Sequence, residues 1–449
     1  MSENIREIIL DTLLTIDTED KKSHLLIRDV LNKYDYLDAR DKAFLKRVTE
    51  GTLSKRITLD YVLNKYSKKP VEKCKPVIRA LLRMSAYQIL FMDKVPDSAV
   101  CNEAANLCKK RSFKDFVPFV NGVLRSLVTG KETALDFSDI KENTKRISVK
   151  YSCPEWIVDL FQKETKSAEA ILSAMDTIKS TCVHIIDAKD EESLLKAWAD
   201  KKIEYKKSEY VDNSYLLKNI EGMESVPGFL EGKLLVQDES SQLCALATGV
   251  TKDSNLTIFD TCAAPGGKTS FVASTMKDKG HVLSMDVSDL KVSLIEENVE
   301  RLNLKNVSLR VADATEFNED LEGKADIVIA DVPCSGLGVF ARKSDLKFNI
   351  SNEGMKSICD LQKDIIINVS RYVKPGGVLI YSTCTIHKAE NEKMVKFIEE
   401  NLPFKGDSLR PIVPGLFKVD RKCDYAVSLL PHIDNTDGFF IARFVKNME

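Results

Sequence analysis

The sequence is short of the patterns that build metal centres and disulfide frameworks. Five histidines are scattered along 449 residues. The 11 cysteines, at positions 74, 101, 108, 153, 182, 244, 262, 334, 359, 384 and 423, include no C-x-x-C pair. A structural metal is therefore not expected, and an odd number of thiols without an export signal suits a reducing compartment. No apolar run approaches the roughly 20 residues that span a bilayer. The beginning, MSENIREIIL, is acidic rather than basic, so neither an anchor nor a signal peptide is expected. Two phosphate-binding fingerprints are also missing. G-x-G-x-x-G is absent, and a G-x-x-x-x-G-K-[ST] loop ending at Gly267, Lys268 and Thr269 would need glycine where Cys262 stands. What remains is a soluble, cytoplasmic chain of about three domains, at roughly 150 residues each.

The formal net charge of −2 hides an asymmetry. Residues 1–150 carry 29 Lys and Arg against 21 Asp and Glu, and the remainder 37 against 47, so the two parts have opposite sign. The excess gathers between Lys42 and Arg83, where 12 basic residues meet only Glu50, Asp60 and Glu72. Such a band suits phosphate contact, although a solvated helix face would have the same composition.

Up to about Val128 apolar residues recur three and four apart, as in NIREIILDTLLTI and VIRALLRMSAYQILFM, which predicts an all-helical domain over 1–135. Asp97 or Ser98 is placed to cap one helix and Ser152 another. Residues 130–149 lose the period and read as a linker, so 136–235 is expected to be linker plus a small α+β module that binds RNA. From 236 to 449 the rhythm becomes strand, turn, helix. LTIFD, HVLSMD, VSLRVAD, ADIVIAD and GVLIYST alternate with amphipathic stretches, which predicts a doubly wound, mostly parallel, Rossmann-like sheet. Four of these runs end in aspartate, and ligands of such sheets bind beyond the carboxyl ends of the strands.

The turn FDTCAAPGGKTS opens a helix, where backbone N–H groups and missing side chains let a ligand approach closely. About 20 residues on, Asp286 closes the second strand, where a carboxylate can accept ribose hydroxyls. Asp313, after the third strand, suits an adenine end. One lysine in the turn and an acidic rim favour a cationic ligand without a 5′-phosphate, namely S-adenosylmethionine. Each aspartate alone could simply cap a helix.

At the fourth strand IVIAD is followed by Val332, Pro333 and Cys334, and at the fifth YSTCT presents Cys384. Either cysteine alone is most simply a buried apolar residue. Two thiols beside a cofactor turn suit methylation of a pyrimidine at carbon 5. That carbon is nucleophilic enough only after a thiolate adds at carbon 6. Asp331 can hydrogen-bond or protonate the base at N3, and the second thiol is a candidate for the release step. The residues do not settle which thiol does which.

These segments resemble the RNA cytosine-5 methyltransferase family, whose motifs read D-x-C-A-A-P-G-G-K-T, D-x-P-C-S-G and Y-S-T-C-[ST]. The resemblance implies that Cys384 is the nucleophile and that Cys334 assists product release. It assigns Cys262, Ala263, Ala264, Pro265, Gly266, Gly267 and Lys268, with Asp286, Asp313 and Asp331, to the S-adenosylmethionine site, Lys268 either neutralising Asp331 or capping the turn. VQDESSQLCA, GLGVFARKSDLKF, AENE and PHIDNTDGFFIA are similar to segments of the family's bacterial small-subunit ribosomal-RNA members. The helices containing RDKAFLKRVTEGTLSKRITLD and FVNGVLR resemble the antitermination factor NusB. That fusion implies action on a cytosine of 16S rRNA, position 967 in the usual rRNA numbering, in naked RNA or an early small-subunit particle, and the self-contained modules point to a multidomain monomer. The target base must be flipped out or unpaired to expose carbon 6. Lys291, Ser344, Phe348 and Lys388 stand where the family usually has arginine, proline, tryptophan and proline, which touches substrate detail rather than reaction type. Two rival readings remain: a nucleotide hydrolase built on IVIAD and GGKT, and an RNA-binding scaffold with a degenerate catalytic domain.

Overall fold

Helical periodicity in the first part of the chain becomes helices at Ile5–Thr18, Ser23–Lys33, Ala39–Ser54, Arg56–Tyr66, Pro76–Phe91, Asp97–Lys110 and Val117–Thr129. The computed structural model describes residues 4–18, 23–177, 180–277, 279–340, 342 and 345–448, apart from the His24 side chain; Ser344 lies outside them. Helix Pro76–Phe91 is apolar nearly all round. Ile78, Leu81, Leu82, Met84, Ala86 and Ile89 are buried, so the other helices pack around it. Helix Ala39–Ser54 approaches closely at Gly51, where a Cβ would overlap the Tyr87 ring. Its start is fixed by Asp38, whose side chain accepts from the Asp41 N–H at 2.7 Å.

Residues 130–149 are not a linker. Ala134, Phe137, Ile140 and Val149 belong to the same core as the preceding helices, and Asn143–Tyr151 is itself a helix. These four apolar residues anchor a stretch whose polarity dominates its sequence. Packing divides the chain into residues 1–173 with 342–349, and residues 174–341 with 350–449, so neither 135 nor 235 is a packing boundary. Two expected caps also differ. Pro96 precedes the helix in which Asp97 is the first residue. Ser152 ends a helix instead of starting one, with φ at 51° and its Oγ accepting from the Ile57 N–H at 3.0 Å.

Part of the basic band is internal to this helical unit. Arg83 grips Asp60 through two bonds of 2.7 and 2.6 Å, and Arg79 meets Asp17 at 3.3 Å. Arg56 stacks on the Phe348 ring at 4.1 Å, and its burial lowers the guanidinium pKa. These three arginines act as structural cations.

The second unit contains two sheets. β1 (Thr181–Ile185), β2 (Glu204–Lys207), β3 (Ser214–Lys218) and β4 (Leu234–Val236) form an antiparallel sheet in the order β2-β3-β1-β4. Trp198 fills its core beside Val183 and Tyr215, its indole N–H donating to the Pro227 carbonyl at 3.0 Å. The larger sheet comprises β5 (Thr257–Asp260), β6 (His281–Asp286), β7 (Val307–Val311), β8 (Ala325–Asp331), β9 (Val373–Thr383), β10 (Phe404–Gly406), β11 (Ala426–Leu429) and β12 (Phe439–Lys446). Its order is β10-β12-β9-β8-β5-β6-β7, with β11 also pairing β12. Strands β5 to β9 run parallel, and β12 joins β9 antiparallel. Burial on both faces makes β8 a continuous apolar run. Strand order reverses between β5 and β8, and the crevice beyond their carboxyl ends is where such sheets bind ligands. No helix among the described residues is long and apolar enough to cross a membrane.

Candidate active site

The glycine-rich turn is pinned to the end of β6. The Ala263 N–H donates to the Met285 carbonyl at 2.9 Å and the Ala264 N–H to Asp286 Oδ2 at 3.0 Å. The Ala264–Pro265 peptide is cis. Gly266, with φ at 97°, lies against Ile295, which a Cβ would approach to 2.9 Å; the turn needs glycine for both reasons. Helix Gly267–Met276 follows, and its first N–H groups have no partner within the helix. Asp286 Oδ1 accepts from the Val287 N–H at 2.8 Å and from Lys291 Nζ at 2.9 Å. Asp313, two residues past β7, is exposed. The Thr315 N–H and hydroxyl at 2.8 and 2.7 Å hold its pKa below the usual carboxylate range. Cys262 is not poised to react, because burial and then the neighbouring carboxylates push its pKa far up.

Lys268 links this turn to β8. Its ammonium meets Asp331 Oδ2 at 2.6 Å and Ser241 Oγ at 3.0 Å, and lies 5.3 Å from the centre of the Phe439 ring. Burial, the largest single influence, would lower its pKa, but Asp331 together with Cys244 and Asp260 outweighs burial and raises it. The register pairing Asp331 with Ser382 lets the Ser382 hydroxyl donate to Asp331 Oδ1 at 2.8 Å. Asp260, at the end of β5, does not face the crevice. It is fully buried, takes a 2.7 Å bond from Thr269 Oγ1, and burial pushes its pKa up to about 7. Beside Gly267 lies the Gln237 amide. Its nitrogen donates to Ser241 Oγ at 2.9 Å while its oxygen is buried without a partner.

At the ends of β8 and β9 the Cys334 and Cys384 sulfurs are 3.0 Å apart, and the Cys384 N–H donates to Cys334 Sγ at 3.2 Å. The contact with Cys384, followed by burial, holds the Cys334 pKa well above its usual value. Adjacent strands place the two loops near each other, and Glu390 fastens them. It is fully buried, and its carboxylate accepts from the Ser335 N–H at 2.9 Å, the Ser335 hydroxyl at 2.5 Å and Gln362 Nε2 at 3.0 Å. Gln362 Nε2 also donates to the Pro333 carbonyl at 2.9 Å, and the Tyr381 hydroxyl donates to the Glu390 carbonyl at 2.6 Å. Gly338 N–H bonds the Cys384 carbonyl at 3.1 Å, where a Cβ would overlap Gly438.

The structure thus gathers the Cys262–Lys268 turn, Asp286, Asp331, Cys334 and Cys384 around the carboxyl ends of β5, β6, β8 and β9, with Asp313 on the rim beyond β7. Residue reasoning did not find Glu390, Ser335, Ser382, Gln362 or Gln237 as site residues. The AENE and VQDESSQLCA segments signalled Glu390 and Gln237 by resemblance alone, and nothing local marks Gln362, which acts 28 residues away from Glu390.

The family described as 16S rRNA methyltransferase RsmB/F matches residues 247–445, and the NusB family matches residues 3–129. The chain is 34% identical, over 99% of both chains, to the probable ribosomal RNA small subunit methyltransferase B of Bacillus subtilis strain 168. The corresponding protein of Synechocystis is 28% identical over 98% of this chain and 99% of its own. The crystal structure of PH0851 superposes with a TM-score of 0.78, covering 99% of this chain and 100% of that one at 24% identity.

Proposed function

The chain belongs to the 16S rRNA methyltransferase RsmB/F family, and on that premise we propose that it methylates carbon 5 of a cytosine in 16S rRNA, using S-adenosylmethionine, with Cys384 as nucleophile and Cys334 aiding release. The observation that carries this reading is the 3.0 Å approach of the two sulfurs beside Asp331. The family resemblance makes Cys384 the sulfur that adds to carbon 6, with Cys334 3.0 Å away on the neighbouring loop. Asp331, kept in place by Lys268 and Ser382, meets the base edge at N3 as the ring gains charge. Once carbon 5 has taken the methyl group, Cys334, as thiolate, is the candidate base for the carbon 5 proton; the C–H electron pair re-forms the 5,6 double bond and the carbon 6–sulfur bond breaks, releasing Cys384 as thiolate.

The residues of the turn fit S-adenosylmethionine. The N-terminus of helix Gly267–Met276 suits a carboxylate. The orphaned Gln237 oxygen beside Gly267 suits an ammonium group, and Asp286 suits a ribose diol. The cofactor would supply an electrophilic methyl group. These residues bind and orient it.

The test is transfer of labelled methyl from S-adenosylmethionine to unmethylated 16S rRNA by wild type, Cys384→Ala and Cys334→Ala. The expected result is turnover by wild type alone, with Cys334→Ala accumulating a protein–RNA adduct that survives denaturant. Activity in Cys384→Ala, with neither turnover nor adduct in Cys334→Ala, would reverse the two roles. No labelling by wild type would favour the RNA-binding scaffold.

A further inference from the structure

Next to the loop clamp, the second unit has a cavity of about 340 Å³. That is at the lower end of the roughly 300–1,000 Å³ typical of small-ligand sites. One wall is a face of helix Asn352–Val369 carrying Met355, Lys356, Cys359 and Lys363; the other includes His387, Lys393 and Met394. His387 is three residues beyond Cys384. Ala389, also in the lining, adjoins Glu390, so the cavity shares its walls with the segments that hold the thiols.

The charge of this cavity runs against its surroundings. Residues 151–449 carry 37 basic against 47 acidic side chains, yet the lining has three lysines and a histidine against one acid. That acid, Asp360, is already bridged by Lys363 at 3.1 Å. Lys356 and Lys393 are exposed at the rim while Met355 and Met394 are buried beneath. Cationic rim, thioether floor and an imidazole ring are the groups that hold an unstacked nucleotide: lysines take the phosphate, and soft apolar and aromatic surface takes the base.

We propose that this cavity seats a nucleotide neighbouring the target cytosine on the rRNA strand, with Lys356 and Lys393 on its phosphate and Met355 and His387 against its base. This rests on the proposed reaction at Cys384, since a strand delivering a base to that thiol continues past it. The cavity then sets how the strand is presented without touching the reacting atoms.

The test compares wild type with Lys356→Glu/Lys393→Glu and with the double arginine variant, on a 16S rRNA hairpin containing the target. The glutamate variant is expected to raise KM for RNA at least tenfold with kcat within threefold. The slope of log affinity against log salt should fall by about one for each phosphate that is no longer neutralised. Affinity for S-adenosylhomocysteine should be unchanged, and the arginine variant should behave as wild type. A 4-thiouridine placed beside the target should crosslink to wild type and weakly to the glutamate variant. Unchanged KM, slope and crosslinking would overturn the proposal and leave the cavity to a small anion or a protein partner. If wild type binds the hairpin through these lysines but transfers no methyl, the reaction assignment fails and the cavity assignment stands.

Discussion

On the cofactor side of the crevice two carboxylates each meet a lysine: Asp331 with Lys268 at 2.6 Å, and Asp286 with Lys291 at 2.9 Å. On the thiol side Glu390 is sealed from solvent, and three hydrogen-bond donors, two from Ser335 and one from Gln362, converge on it. The Asp286–Lys291 pair can exchange partners when a charged ligand arrives, because Lys291 is about half exposed and such a pair is held weakly, whereas the more enclosed Asp331–Lys268 pair meets solvent only through Asp331, 28% exposed. The Glu390 clamp resists exchange, because water cannot reach its buried donors to replace the carboxylate, although the Ser335 hydroxyl also lies 2.9 Å from Thr385 Oγ1 and Gln362 also reaches the Pro333 carbonyl. The difference separates a region built to admit a ligand from one built to keep two sulfurs in register.

The largest break in this contrast should come from Glu390→Ala. Three buried donors lose this acceptor, the Ser335 hydroxyl keeping Thr385 Oγ1 and Gln362 the Pro333 carbonyl in reach, so destabilisation of at least about 1–3 kcal/mol is expected in chemical denaturation. Methyl transfer should fall by at least about a hundredfold, since roughly 1 Å of misplacement can cost that much. Glu390→Gln keeps the shape and should fall between wild type and the alanine variant. Retention of activity within threefold in Glu390→Ala would remove the clamp from the account.

Lys268→Met comes next. It keeps an unbranched apolar stem one atom shorter, removes the ammonium, and leaves Asp331, 28% exposed, with Ser382 alone. Because Asp331 keeps some water, the cost should be about 1–3 kcal/mol, below that of a fully buried broken pair. Calorimetry should show S-adenosylhomocysteine binding at least tenfold weaker. An undiminished affinity would confine Lys268 to holding Asp331.

Asp260 sharpens the comparison from inside the sheet. Its carboxyl is raised from 3.8 to about 7 by burial, so between those values the folded chain holds a proton that the unfolded chain has released. The associated stability is full below about pH 4 and is lost as pH rises through 7. Asp260→Asn should flatten this dependence, the wild-type-minus-variant difference shifting by about 2 kcal/mol between pH 5 and 7 in urea titrations. Parallel curves would show that Asp260 ionises no differently in the folded chain.

The five parallel strands were legible because each pairs a short apolar run with a turn and an amphipathic helix, and the motif residues sit at strand ends where local sequence sets the chain direction. The antiparallel return through β12 was not, because FFIARFVK has no turn signal that fixes its direction against β9. The catalytic candidates could be named from motifs, but their support could not. Gln362 reads as one more polar residue on an amphipathic helix, and only the tertiary fold brings it to Glu390 and Pro333. The supposed linker failed for a related reason: Ala134, Phe137 and Ile140 recur three apart only within a short, otherwise mostly polar stretch, yet each finds the helical core.

The smallest effect should come from Lys291→Ala, which tests whether the half-exposed pair is as dispensable as its setting implies. Lys291 is about half exposed, so losing its bridge should cost less than about 1 kcal/mol of stability. Asp286 would keep the Ala264 and Val287 N–H groups, which fix its orientation without the lysine. Freed of the ammonium, Oδ1 has an open lone pair for a ribose hydroxyl, so affinity for S-adenosylhomocysteine should rise by severalfold and depend less on salt. A tenfold weakening would instead mean that Lys291 contacts the cofactor directly, and that the cofactor side is a fixed electrostatic frame of the same kind as the thiol side.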